Sequence, residues 1–511
     1  MAPWSKKKNK QPTGSAKPVA SASEYKSLLH NGAPSQAPKT LYSSNVVSDF
    51  VEGVVMTPQD PEDEEEEDLT RSDASDPFLL NPNDHSMRSP FMEAILESGA
   101  WVGSKFSPGS IKGSVFTLTT TIIGAGTLSI PYAMNSSGIV LGMLMLFCGA
   151  LMAYLSLVML SVCADYTGKV SYKEVVVAAF GNKASTFVQF MLCANLFGSS
   201  IAYIVGNGTL IPVVIQAITG ADSSIDPHLF MIAVVIFPVL PLCLLRDLRA
   251  LRFTSLFAVM CYCYLAVVVV YLHFQMCATG TEQCFGDAFT TIKLFDFEPK
   301  HIFKTAPIVV FAFTCHPNLL PVYAVLQRPS LKRINKVSWR ANMIACSIYG
   351  FVGLFALVTF GASVQSNFLF NDFQRNPLII IGAAGVCISL LFTIPLYVWA
   401  ARKEINQMVW KDDSPETMPM SRHLGITFLM LGGALSVALT TTDIAVPLSI
   451  LGASINPMIC YVIPVSCLCM TVPRNKNVGL KVVGVLYALL IIFASIGSLY
   501  YMNSENQTTN I

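Results

Sequence analysis

Two short stretches hold the residues that could do chemistry. The first runs from Gly113 to Met134, GSVFTLTTTIIGAGTLSIPYAM. Gly124 and Gly126 weaken a helix there, and Pro131 lacks an amide hydrogen shortly after a run of threonines. The second runs from Phe311 to Pro321, FAFTCHPNLLP, where polar His316 and Asn318 flank Pro317. Both stretches sit inside long apolar runs. In hydrocarbon, unwound backbone is tolerated only where it lines a cavity within protein. The chemistry on offer is recognition: freed amides and a half-helix N-terminus suit an α-carboxylate, and freed carbonyls suit an α-ammonium or a metal cation. The plainer reading is close helix packing at the glycines and a simple kink at Pro317. The paired placement of the two interruptions favours binding. Bond-making chemistry has no matching residues, since no Ser-His-Asp order, HExxH helix, phosphate-binding glycine loop or paired carboxylates are found. An enzyme is therefore not expected, and a channel lacks a filter or charged ring.

The elements that must position these stretches are about eleven apolar runs of ~20 residues, the length that crosses hydrocarbon as a helix. They lie near 113–135, 139–163, 183–217, 228–245, 251–276, 302–326, 338–365, 377–401, 421–440, 442–471 and 479–502, and are called spans 1 to 11 here. The chain of 511 residues is 53% hydrophobic and 13% charged, about half the ~25% charge of a soluble domain. Interruptions in spans 1 and 6 predict a 5+5 arrangement, with spans 1–5 and 6–10 as inverted repeats around a shared site. The expected fold is thus an all-α polytopic membrane protein. Residues 1–105 read as a disordered tail, 106–502 as the transmembrane domain, and 503–511 as a short C-terminus. Basic residues cluster between spans 4 and 5 (Arg246, Arg249, Arg252) and spans 6 and 7 (Arg328, Lys332, Arg333, Lys336). They cluster again between spans 8 and 9 (Arg402, Lys403, Lys411) and spans 10 and 11 (Arg474, Lys476). This alternation puts the N-terminal tail in the cytosol and the C-terminus outside or in a lumen.

At the same two stretches the chain resembles the amino acid/auxin permease superfamily. FAFTCHPNLLPVY (Phe311–Tyr323) is similar to the sixth-helix pattern of the sodium-coupled neutral amino acid transporters. SVFTLTTTIIGAGTLSIPYAM is similar to their first helix and, at TTIIGAG, to that of plant vacuolar amino acid exporters. A weaker likeness runs from Ile450 through Pro464 on span 10. The resemblance covers residues 108–500 and implies eleven helices with a ten-helix inverted-repeat core. It also implies that backbone around Ile123, Gly124, Ala125, Gly126 and Thr127, and around Phe311, Thr314 and His316, surrounds an amino acid. A family sodium site would fall at Thr120, Ser389 and Thr393, with Thr120 replacing an asparagine. A hydroxyl still offers oxygen to a hard cation, but an amide carbonyl is the better ligand.

The expected function is alternating-access transport of neutral amino acids, driven by a proton or sodium gradient, with the amino acid and the lipid bilayer as partners. No cofactor and no nucleic acid are expected. His316 is the one ionisable side chain placed centrally, and it reads either as an influence on pH dependence or as a neutral ring bonded to freed backbone. Asn195, Asn207 and Asn456 read as interhelical glue. Cys277 and Cys284, together after span 5, suit a disulfide in an oxidising lumen. Glu24 to Leu29, EYKSLL, matches sorting-adaptor patterns and points to an endosomal, lysosomal or vacuolar membrane, with the plasma membrane as the alternative. The competing function is an amino acid sensor that signals through its N-terminal tail.

Overall fold

The computed structural model describes residues 109–220, 226–246, 252–279, 292–371, 373, 376–411 and 418–509. The expected disordered tail, the pattern at Glu24–Leu29 and Cys284 lie outside the described residues. Within them the chain is helical and contains no strand.

Among the described residues a helix stands at each of the eleven expected spans. Nine helices among the described residues are long and apolar enough to cross a membrane, and the bent pair Ile111–Ile122 and Gly126–Ser137 makes span 1. The remaining one, Met420–Ala438, has 19 residues and carries Arg422 and His423 in its first turn. Observed ends differ from the expected ones by a few residues, except where polar turns prolong a helix. Span 7 begins at Leu331, span 8 continues to Trp410, and span 11 runs on to Thr509. A short helix at Tyr172–Phe180 fills the connection between spans 2 and 3.

Span 3 packs along span 8, span 7 along span 2, and span 6 along spans 1 and 10. Span 11 is peripheral and leaves Leu486, Leu489, Phe493 and Ile496 exposed on one face. In a bilayer that face meets lipid.

Prolines within the spans leave carbonyls four residues earlier without a helical donor. Hydroxyls from other spans take up two of them. Pro307 frees the Phe303 carbonyl, which accepts from Ser498 Oγ on span 11 at 2.7 Å. Pro464 frees the Cys460 carbonyl, which accepts from Ser156 Oγ on span 2. Span 10 also contains a π-helical turn, Met458–Val462, and the Tyr172 hydroxyl donates to the Ile459 carbonyl within it at 2.6 Å. Backbone satisfaction in this bundle is therefore partly a property of helix pairs.

The connection entering span 6 is tied to the turn between spans 1 and 2. Ile139 N donates to Lys293 O at 3.1 Å, Val140 N to Leu294 O at 3.0 Å, and Asp296 N to Ser137 O at 2.9 Å. Gly138 permits this with φ +89°; a Cβ there would stand 2.8 Å from Lys293 O. Cys277, at the end of span 5, is disulfide-bonded.

Candidate functional site

Span 1 breaks between Ile122 and Gly126 and turns by 61°. Ile123 adopts an extended backbone, φ −75° and ψ 119°. The second half then restarts, with Thr127 N donating to Gly124 O at 3.0 Å and Leu128 N to Ala125 O at 3.1 Å. Span 6 breaks between Ala312 and His316, with Phe313 at φ −96° and ψ 17° and Cys315 at φ −139° and ψ 0°. Pro317 occupies the first turn of the second half, where a missing amide hydrogen costs nothing.

The two breaks touch. A Cβ on Gly126 would lie 3.1 Å from both Cα and Cβ of Ala312. Tyr349, from span 7 and fully buried, joins them: its hydroxyl lies 2.6 Å from the Ile122 carbonyl and 3.0 Å from the Ala312 carbonyl. The Thr127 hydroxyl lies beside the same phenol but outside hydrogen-bond geometry. Tyr203 of span 3 covers the break in span 1, so that a Cβ on Gly124 would stand 2.4 Å from its phenol oxygen. The Tyr397 hydroxyl of span 8 donates to that oxygen at 3.1 Å.

Sequence reasoning picked out the broken stretches and missed these three tyrosines. A signal was available, because a tyrosine buried in an apolar span must find a partner for its hydroxyl. Which way each one faces could not be read from the chain.

The expected residues divide into two groups. Ile123, Ala125, Gly126 and Thr127 are buried, whereas Gly124, Phe311 and Thr314 keep partial exposure at mid-span. Thr314 Oγ1 donates to Val310 O at 3.2 Å, with the Cys460 thiol of span 10 at 3.8 Å. His316 is fully buried. Its ring stands 5.8 Å from that of Tyr461 on span 10 and beside the Ala153 backbone of span 2, with neither ring nitrogen in hydrogen-bond geometry. Asn195 and Asn456 are bonded to each other across spans 3 and 10, which is the glue role expected of them. Asn207 instead donates within its own helix, to Tyr203 O at 3.2 Å.

At the residues expected to hold sodium, Thr120 Oγ1 donates to Thr117 O at 2.7 Å and Thr393 Oγ1 to Ser389 O at 2.8 Å. Both hydroxyls keep their lone pairs for a cation. Ser389 is buried, with the Tyr262 hydroxyl of span 5 alongside. A second group of metal-ligand type lies away from the breaks, where Asp296, Glu298 and His301 bring ligand atoms within 4.8 Å of one another. Ion pairing accounts for it. Lys293 Nζ is 2.7 Å and His301 Nδ1 2.9 Å from the same Asp296 oxygen. The Lys293 contact, with the Glu298 amide and His301, holds the Asp296 carboxyl down to about 2.

Two solved structures share the architecture. The inward-facing conformation of Mhp1 superposes with TM-score 0.54 at 14% identity, covering 78% of this chain and 91% of that one. MhsT in complex with L-phenylalanine gives TM-score 0.50 at 14% identity, covering 77% and 98%. At that identity the likeness speaks for the fold alone. The family model of the transmembrane amino acid transporter proteins matches residues 107–503, from just before span 1 into the last helix. With nearly the whole helical region matched, the chain belongs to the transmembrane amino acid transporter family and is a multi-pass membrane transporter rather than an enzyme.

Proposed function

We propose that this transporter is a secondary active carrier of neutral amino acids that works by alternating access. The observation that carries the reading is the contact between two broken helices, each presenting unwound backbone at mid-span. Backbone from Ile123 to Thr127 and from Phe311 to His316 would surround the substrate. A zwitterion suits such a place, since its carboxylate can take freed amides and its ammonium freed carbonyls. The side chains described around the breaks, Tyr203, Tyr349, Tyr397, Thr127 and Thr314, are all uncharged, and the His316 ring packs toward Ala153 and Tyr461. A charged substrate side chain would meet no counter-charge among them and would carry a large desolvation cost. Neutral amino acids are therefore favoured.

The driving ion in this reading is sodium, bound at Thr120, Ser389 and Thr393, or a proton. The N-terminal tail would be cytosolic, and the membrane endosomal, lysosomal or vacuolar. The test is uptake of labelled amino acids by purified protein in proteoliposomes under a sodium gradient, a proton gradient or neither. Neutral amino acids should accumulate above equilibrium under one gradient. Flux without accumulation would reduce the protein to a facilitator, and binding without flux would remove the carrier reading altogether.

A further inference from the structure

Ile122 is the last residue of the first half of span 1, and Ala312 is the last residue of the first half of span 6. Their carbonyls are therefore helix-terminal, with no intrahelical donor. Each half-helix ends here with the negative pole of its dipole, worth roughly half an elementary charge. Two negative helix ends converging in a low-dielectric core call for a positive group between them. A dehydrated monovalent cation would meet that need, because carbonyl oxygens can replace its water.

The Tyr349 hydroxyl stands in that place, 2.6 Å from one carbonyl and 3.0 Å from the other. A phenol has a single hydrogen, so the shorter contact takes most of it and the longer one shares it. The Gly124 backbone and the Thr127 hydroxyl lie beside the same oxygen. The ring is held edge-on against Phe313, 5.6 Å between centroids at 76°, so the hydroxyl has little freedom to leave. A cation in the same place would meet the same two carbonyls and the Thr127 oxygen.

We propose that Tyr349 is a positioning residue whose hydroxyl replaces a bound cation at the junction of the two broken helices. The junction then keeps its shape in any ionic medium. A cation requirement of the transporter would arise elsewhere, at Thr120, Ser389 and Thr393. The role in transport rests on the reading that the two breaks frame the substrate; the replacement of a cation rests on geometry alone.

The experiment compares wild type with Tyr349→Phe, which keeps the ring and removes the hydroxyl. Thermal melting of the purified proteins is recorded in N-methylglucamine, lithium, sodium and potassium chlorides, without amino acid. The variant should gain about 3–5 °C more from one of the alkali cations than wild type does. Its affinity for a neutral amino acid should fall about tenfold in N-methylglucamine and recover in part with that cation, a rescue that lost packing would not show. Tyr349→Asn is the second variant; its amide oxygen supplies a further ligand, and its cation response should exceed that of Tyr349→Phe. Equal cation responses in wild type and folded variants would overturn the proposal. Failure of both variants to fold in every salt would overturn it too, because the phenol would then be a packing element that no cation replaces. Wild type that binds no amino acid would fail the carrier reading and leave the melting comparison intact.

Discussion

The two breaks look equivalent in the chain and are built differently. Span 1 turns by 61°, while span 6 runs through its break as one 27-residue crossing. The backbone explains the contrast. At Ile123, ψ reaches 119°, which swings the following helix onto a new axis. Phe313 and Cys315 keep ψ at 17° and 0°, so span 6 loses its hydrogen-bond ladder without a comparable change of direction. The sharper bend belongs to the break that contains a glycine, and neither break contains a proline. Pro131 and Pro321 both ride inside the second half-helices. Glycine at 124 makes room for Tyr203, and Pro317 starts a helix.

That comparison can be broken by substitution. The largest effect is expected at Gly124→Ala, whose methyl would meet the Tyr203 oxygen at 2.4 Å. Displacement on an ångström scale at a binding site can cost about a hundredfold in rate. Proteoliposome flux should fall by that order, and adding Tyr203→Phe should return most of it. Wild-type flux in Gly124→Ala alone would mean the bend needs no glycine. Pro317→Ala should do much less. A proline in a conformation it already favours contributes about 0.4–1 kcal/mol through the unfolded chain. Flux should therefore drop by less than about fivefold; a larger loss would make the two breaks alike after all. The smallest change is expected at Ser498→Ala, which removes the donor to the carbonyl freed by Pro307. Interhelical hydrogen bonds in membranes average about 0.6 kcal/mol. The variant should melt about 1 °C lower with unaltered flux, and a defect in transport would link span 11 to the working site.

The spans were legible because hydrocarbon leaves so few options. An apolar run of the right length must be a helix, and its ends follow from the polar turns. The breaks were legible because Gly124 and Gly126 in one apolar run and the His316-Pro317 pair in another place helix-weakening or polar residues at mid-span. The walls of the site were not. Tyr203, Tyr349 and Tyr397 come from three long, mostly apolar spans, where periodicity fixes rotation poorly. His316 shows the same limit from the other side. Its type and depth drew attention to it, yet its ring is packed toward Ala153 and Tyr461. The π-helical turn in span 10 also left little trace, because carbonyls within it accept from the Ser156 and Tyr172 hydroxyls in distant parts of the chain.

Cys460 turns the second break into its own reporter. Its sulfur lies 3.8 Å from the Thr314 hydroxyl, in a chain whose other free cysteines are spread over most of the spans. A small membrane-impermeant thiol reagent can reach that sulfur only when water does, and then only from the side that is open. Its labelling rate, with reagent supplied to one face of the membrane at a time and with amino acid present or withheld, would therefore time the opening of each face without a fluorophore or an engineered residue. A Cys460→Ser chain would supply the blank.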